Sequence, residues 1–145
     1  MFDASNPVAI LVPMLVVVAL TFIAFVRMAA ARGAAAKQMD PSFYRAQLGG
    51  HEPEPAVVAV RHYHNLLELP TLFYPACLTA FVLGAEAVGT WTLILAWGYV
   101  VARLVQSAIH LSYNNPAHRG MAFVLGVIFV LALWVNVGLE VLERV

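Results

Sequence analysis

Long uncharged stretches recur along the chain, separated by short segments that carry most of the charge. The first runs from Ala4 to Val26 without a charged residue, and the last, Gly120 to Leu139, has twenty uncharged residues. A helix needs about 20 predominantly apolar residues to cross the hydrocarbon layer of a membrane. Because no basic segment precedes the first stretch and no small-residue cleavage site follows it, we expect a retained span rather than a signal peptide.

Two further spans lie between these stretches. One contains 17 uncharged residues from Leu69 to Ala85, with bends expected at Pro70 and Pro75. The other extends from about Val88 to Leu111 and is interrupted by Arg103. The pattern predicts an all-α integral membrane four-helix bundle, formed by one domain of residues 1–145. We expect helices at about 5–34, 55–84, 87–113 and 118–143, and a loop at about 35–54.

Composition excludes several other classes of protein. Of the 145 residues, 62% are hydrophobic and 11% are charged, whereas soluble domains are about half apolar and a quarter charged. A soluble globule and a disordered chain are therefore excluded. Eight basic residues balance eight acidic ones, so no net field attracts nucleic acid, and we expect none as a partner. The single cysteine, Cys77, has no internal disulfide partner.

The basic residues are unevenly distributed between the polar segments. Most of them lie in the segment from Arg27 to Asn65 or, like Arg119, between the third and fourth spans, whereas Glu86 and Glu140 lie on the opposite side. By the positive-inside rule, both larger loops face the cytoplasm. Both termini are then predicted on the non-cytoplasmic side of the membrane.

Polar side chains inside the second and third spans fall on helical faces. On the second, Arg61, Asn65 and Glu68 are spaced i, i+4, i+7, and Tyr63 and His64 flank them. The third span repeats this spacing, and Arg119 stands at the start of the fourth. The residues with that spacing on the third span are Arg103, Gln106, Ser107 and His110.

Two interpretations of these polar faces are open. They are either structural ion pairs and hydrogen bonds between helices or a pocket for an anionic ligand. Three arginines, Arg61, Arg103 and Arg119, stand against one carboxylate, Glu68. Guanidinium groups suit carboxylates and stabilise a thiolate. The excess of arginine favours the ligand pocket.

Other functions are less well supported by the sequence. His64 and Glu68 are four residues apart, but no H-E-x-x-H pattern occurs, so we predict no metal site. A proton path lacks a polar continuation in the outer half of the bundle, and Cys77 is interpreted as a packing residue. Four aromatic residues are predicted at the interface or facing lipid, namely Trp91, Trp97, Tyr99 and Trp134. Ala122 and Gly126, four residues apart, favour close helix packing.

The segment from Arg61 to Glu68 resembles a known signature. It reads R-H-Y-H-N-L-L-E and is similar to the R-x-x-x-N-x-x-E motif of the MAPEG family, the membrane-associated proteins of eicosanoid and glutathione metabolism. Arg103, with Arg119 sixteen residues later and then Phe123, resembles the branch of microsomal prostaglandin E synthase and microsomal glutathione transferase.

This resemblance implies a homotrimer of four-helix subunits, with glutathione as co-substrate between neighbouring subunits near the cytoplasmic face. It assigns Arg119 to catalysis, with its guanidinium beside the glutathione sulfur. His110, which stands in place of a family tyrosine, is the second catalytic candidate because its imidazole can donate a hydrogen bond to the thiolate. The residues that the resemblance assigns to glutathione binding are Arg61, Tyr63, Asn65, Glu68, Arg103 and Gln106. The expected partners are a second and third copy of the chain, membrane lipid and a hydrophobic small-molecule substrate.

Three positions depart from the family pattern. His110 and Gln106 stand where various members have tyrosine, and Leu69 follows the signature glutamate. The implied activity is conjugation or reduction of hydrophobic electrophiles or lipid hydroperoxides. The alternative is a non-catalytic membrane scaffold of the same fold that binds lipid or a partner, because a fold does not determine a function.

Overall fold

The computed structural model describes residues 6–46 and 51–145, and within them the secondary structure is helical without strands. A 3₁₀ turn, Pro7–Ile10, opens the described chain and leads into six α-helices. They are α1 (Leu11–Ala36), α2 (Pro41–Ala46), α3 (Glu54–Glu68), α4 (Pro70–Leu83), α5 (Thr90–Leu111) and α6 (Pro116–Leu142).

Four segments are long and apolar enough to cross a membrane. They are Pro7–Ala36, Glu54–Leu83, Thr90–Leu111 and Pro116–Leu142. The predicted all-α fold with four spans is thereby confirmed.

The second span differs in detail from one continuous helix. It consists of α3 and α4, which are separated at Leu69. Pro70 has no N–H group to donate to the carbonyl group of Leu66, so the helical hydrogen bonding is interrupted there. The proline expected to bend the span thus divides it into two helices.

The predicted loop at 35–54 contains a short helix, α2. Its first residue is Pro41, and Oδ1 of Asp40 accepts a hydrogen bond of 2.8 Å from the backbone N–H of Ser42. The hydroxyl and the backbone N–H of Ser42 together lower the pKa of the Asp40 carboxyl from its ordinary value of 3.8. An acidic cap followed by proline is a helix start, but six residues are too few to show a helical period.

The helices form two compact units. The first unit combines the chain up to Ala19 with Leu69–Val145, and the second is Leu20–Glu68. In the first unit, α5 and α4 both pack against α6, and the 3₁₀ turn contacts α4 and α5. Its core is apolar and includes Ile10, Phe73, Ala76, Cys77, Ala96, Tyr99, Leu133 and Val137.

Small residues permit close packing of α5 on α6. A Cβ atom built on Gly98 would overlap the ring of Phe129, so the ring occupies space that only glycine leaves free. At Gly126 the nearest atoms, on Leu69 and Tyr99, are 3.7 Å away, which is ordinary contact. Gly126 and Ala122 are both buried.

In the second unit, the side chains of α1 are tied to the segment that follows α2. Arg32 Nε donates a hydrogen bond of 2.9 Å to the Glu52 carboxylate, and its guanidinium lies 5.5 Å from the ring centre of Tyr44. The rings of Phe25 on α1 and Tyr63 on α3 are 5.7 Å apart. The second unit is therefore held by a partly buried ion pair and by aromatic contacts.

Candidate functional site

The polar face predicted on the third span lies in the interior of the first unit. The structure buries all four of its side chains, so the i, i+3, i+4, i+7 spacing does place them on one buried side of α5. These residues are Arg103, Gln106, Ser107 and His110. Burying such groups costs free energy unless they are hydrogen-bonded. The contacts of these side chains therefore bear on whether the face joins helices or binds a ligand.

Arg103 is held by neighbours on α5 and α6. Its Nε donates a hydrogen bond of 3.1 Å to the Tyr99 hydroxyl, and a terminal nitrogen donates to Oε1 of Gln106. The guanidinium carbon lies 5.6 Å from the ring centre of Tyr99 and 5.4 Å from that of Phe123. These contacts give Arg103 and Gln106 a structural role between the two helices, while their contact with glutathione stays a prediction.

Tyr99 corrects one of the sequence predictions. It was expected at the membrane interface or facing lipid, but it is 0% exposed and packs on Phe73 with ring centres 4.2 Å apart. Tyr99 precedes Arg103 by four residues, so it lies on the same helical face. This four-residue spacing from Arg103 is the sequence signal that places Tyr99 on the polar face of α5. Trp91, by contrast, is exposed.

The turn between α5 and α6 fixes Arg119. Asn114 has a positive φ of 49°, a conformation that asparagine adopts more readily than most residues. Its Oδ1 accepts a hydrogen bond from the guanidinium of Arg119. The next residue, Asn115, caps α6, because its Oδ1 accepts hydrogen bonds from the backbone N–H groups of Ala117 at 2.9 Å and His118 at 3.2 Å. The predicted catalytic arginine is thus positioned in the first turn of α6.

A second side-chain pair lies at this turn. The hydroxyl of Tyr113 and Nδ1 of His118 are 2.9 Å apart, and their rings meet edge to face. Both side chains are exposed, and both line one end of a groove of about 640 Å³ between α5 and α6. Sequence reasoning assigned neither residue to a binding site, and five-residue spacing across a turn gives no periodic signal.

The other four predicted site residues belong to α3 in the second unit. Arg61 and Glu68 are exposed, whereas Tyr63 and Asn65 are half-buried. Tyr63 also lies 6.2 Å, ring centre to ring centre, from His64. This polar face belongs to a segment that qualifies as a membrane span. Since ionised groups are costly against hydrocarbon, the α3 face requires water, a ligand or protein in front of it.

The outer half of the bundle is more polar than predicted. Asn136 on α6 donates a hydrogen bond of 2.9 Å to the hydroxyl of Thr92 on α5, and that hydroxyl donates to the carbonyl group of Ala87 at 2.7 Å. Polar side chains therefore do occur in the half of the bundle where no polar continuation was expected. The two side chains bind each other and tie α5 to α6.

Within residues 6–46 and 51–145, no three His, Cys, Asp or Glu side chains are grouped so as to hold a metal ion.

Comparison with known proteins gives a match to one family profile and none to individual proteins. No curated protein and no solved structure matches the chain. The profile of the MAPEG family matches residues 10–139, which is nearly the whole chain. The chain therefore belongs to the MAPEG family, as an integral multi-pass membrane protein.

Proposed function

We propose that the protein is a glutathione-dependent membrane enzyme that conjugates or reduces hydrophobic electrophiles or lipid hydroperoxides. The observation that carries this proposal is the α3 face, on which Arg61 and Glu68 are exposed although their helix belongs to a membrane span. Membership of the MAPEG family supports it, because that family includes glutathione transferases and peroxidases.

The chemistry of the α3 face matches that of glutathione. The peptide carries two carboxylates and one ammonium group, and the face carries a guanidinium, Arg61, and a carboxylate, Glu68. Charge-assisted hydrogen bonds of this kind are about twice as strong as neutral ones. In our proposal, the half-buried Asn65 and Tyr63 add neutral hydrogen bonds, and Arg103 and Gln106 complete the set assigned to glutathione.

We further propose a homotrimer in which a neighbouring copy covers the α3 face. A ligand the size of a tripeptide needs a concave site, and a cyclic assembly places such sites at the contacts between copies. Bound glutathione and the neighbouring chain together would then keep Arg61 and Glu68 away from hydrocarbon. The placement of both termini on the non-cytoplasmic side belongs to the same proposal.

In the proposed reaction, Arg119 activates the sulfur. A free thiol has a pKa of about 8.5, and a nearby guanidinium lowers it, so that the thiolate is populated at neutral pH. In a substitution, the thiolate forms a bond to the electrophilic carbon as a leaving anion departs. In an addition, the thiolate forms the same bond and the adduct then takes up a proton. With a hydroperoxide, two glutathione molecules supply two electrons and become the disulfide, while the peroxide becomes alcohol and water. His110 is proposed to donate a hydrogen bond to the thiolate.

A titration of the detergent-purified protein with glutathione tests the proposal. We expect saturable binding heat together with ultraviolet thiolate absorbance at neutral pH. S-methyl glutathione is the matched control, because it keeps the peptide and has no ionisable thiol, so it should bind without the absorbance change. Absence of saturable binding contradicts the proposal.

The alternative, a non-catalytic scaffold that binds lipid or a partner, predicts a different outcome of the same titration. The observation that favours it is the apolar groove between α5 and α6. A scaffold would show no thiolate absorbance and no turnover of any hydrophobic electrophile, whatever its affinity for glutathione.

A further inference from the structure

The groove between α5 and α6 has an apolar body. Its volume is about 640 Å³, and it is open along the side of the first unit. Most of the lining is aliphatic or aromatic, with contributions from both helices. Residues that line it include Val101, Val105 and Ile109 on α5 and Met121, Leu125 and Phe129 on α6.

The polarity of the groove changes along its length. Its body runs between two helices that both qualify as membrane spans, so it lies at the depth of the hydrocarbon. The Tyr113 and His118 side chains line the end where α5 has finished and α6 begins. An apolar channel with hydrogen-bonding groups at one end has the polarity of a lipid, with its acyl chain and head group.

The hydrogen bond between these two residues leaves a donor for a ligand. When Nδ1 of His118 accepts from the Tyr113 hydroxyl, the proton of the neutral ring lies on Nε2. That N–H is directed away from the pair and is suited to an oxygen of a phosphate group. The Tyr113 hydroxyl therefore orients the imidazole as well as lining the groove.

The charge at this end favours an anionic head group. From Thr90 to Leu139 the sequence contains no Asp or Glu, whereas Arg119 follows His118 directly in the first turn of α6. Basic pockets between membrane helices bind anionic lipid head groups, and each basic residue near the surface contributes about 1 kcal/mol. The groove end is therefore complementary to a phosphate.

A second copy of the chain is a poorer occupant than lipid. Between helices in a membrane there is no hydrophobic driving force, because lipid tails are as apolar as leucine. The apolar lining of the groove is thus already suited to an acyl chain, whereas the charged α3 face requires water, a ligand or protein against it. The two surfaces call for different partners.

We propose that the groove between α5 and α6 binds an anionic phospholipid of the membrane. One acyl chain lies along the apolar body, and the phosphate accepts a hydrogen bond from His118 at the end marked by Tyr113. Arg119 contributes charge both to this site and to the proposed reaction, but none of the residues that line the groove belongs to the set assigned to glutathione, so glutathione titration reports on that set alone.

Photo-crosslinking in nanodiscs tests the proposal. The full chain is placed in phosphatidylcholine containing a minor fraction of phosphatidylglycerol with a diazirine on one acyl chain, and labelled peptides are mapped. We expect labelling to concentrate between residues 98 and 129. The same label on phosphatidylcholine, at equal mole fraction, should give about fivefold less, the effect of about one basic charge.

Two tryptophan variants provide a matched comparison. Val101 is 55% exposed and lines the groove, and Val124 is 56% exposed and is not among its lining residues. Val101→Trp should fill the groove and reduce labelling severalfold, whereas Val124→Trp should leave it unchanged. If Val101→Trp misfolds, Leu125→Trp fills the same groove from α6. His118→Gln should lower labelling by both lipids, because both carry the phosphate, whereas Arg119→Gln should remove the preference for phosphatidylglycerol.

Three outcomes overturn the proposal. One is equal labelling of Val101→Trp and Val124→Trp, and another is labelling spread evenly over the exposed residues of α1. The third is a change in oligomeric size, by native mass spectrometry, in Val101→Trp with lipid labelling unaltered. That result would assign the groove to a second copy of the chain.

Discussion

Arg103 donates a hydrogen bond of 3.1 Å from its Nε to the hydroxyl of Tyr99, and both side chains are 0% exposed. One turn of α5 thus contains a buried guanidinium and the neutral hydroxyl that accepts a hydrogen bond from it. The ring of Tyr99 also packs on Phe73 of α4. The interaction therefore links the polar face of α5 to the apolar core of the first unit.

Removing the Tyr99 hydroxyl should destabilise the fold. Hydrogen bonds within membrane proteins contribute about 0.6 kcal/mol on average and at most about 1.7. Because Tyr99→Phe takes an acceptor from a buried guanidinium, we expect a loss at the upper end, about 1–2 kcal/mol, in equilibrium unfolding in mixed micelles. Tyr113→Phe removes an exposed hydroxyl and should cost less than about 0.5 kcal/mol. Equal stability of Tyr99→Phe and the unmodified chain would contradict the role of this bond.

Alanine should have different effects at two glycines of the α5–α6 contact, the half-buried Gly98 and the buried Gly126. Gly98→Ala places a methyl group against the ring of Phe129, and Gly126→Ala meets only ordinary contacts. Overpacking costs about 1–3 kcal/mol, while alanine improves helix propensity by about 1 kcal/mol at either position. We expect Gly98→Ala to be less stable than Gly126→Ala by about 1–3 kcal/mol. Adding Phe129→Leu should recover most of the difference, and a failure to do so would show that the ring is not the obstacle.

Neutralising Glu68 should weaken glutathione binding, if the peptide lies on the α3 face. A hydrogen bond to a charged group contributes about 1.5–3 kcal/mol. Glu68→Gln should therefore raise the dissociation constant about tenfold or more, measured by calorimetry. Glu143→Gln makes the same change at an exposed residue beyond α6 and should have no effect. Similar constants for the two variants would remove Glu68 from the site.

Replacing Arg119 should shift the pH dependence of turnover. Without the guanidinium, a thiol of pKa about 8.5 is about 3% ionised at pH 7. We expect Arg119→Ala to lower turnover of a hydrophobic electrophile about 30-fold at pH 7. The turnover of this variant should recover as the pH rises towards 9. Arg144→Ala, a change at an exposed arginine near the end of the chain, is the control. A uniform loss at all pH values would assign Arg119 to binding or folding instead.

The spans were predictable because an uncharged run of about 20 residues has few alternatives to a membrane helix. The burial of Arg103, Gln106 and His110 followed from their helical spacing. The division of the second span at Leu69 did not, because a proline within a span predicts a bend and a break equally well. Tertiary contacts decide between the two.

The contacts of the site were less accessible to sequence reasoning. Tyr99 was interpreted as an interfacial aromatic because aromatic residues in spans are often found there, although its spacing from Arg103 already placed it on the polar face. The pairs Tyr113–His118 and Asn114–Arg119 depend on the path of the turn. A turn has no period from which such pairs can be read.

Position 114 must satisfy two requirements at once. Its left-handed backbone suits glycine, asparagine and aspartate. Its side chain must also present an oxygen to the guanidinium of Arg119, five residues later in the first turn of α6. Glycine meets only the first requirement and glutamine only the second. Among related chains that keep an arginine at the position of Arg119, variation at this position should therefore be confined to asparagine and aspartate.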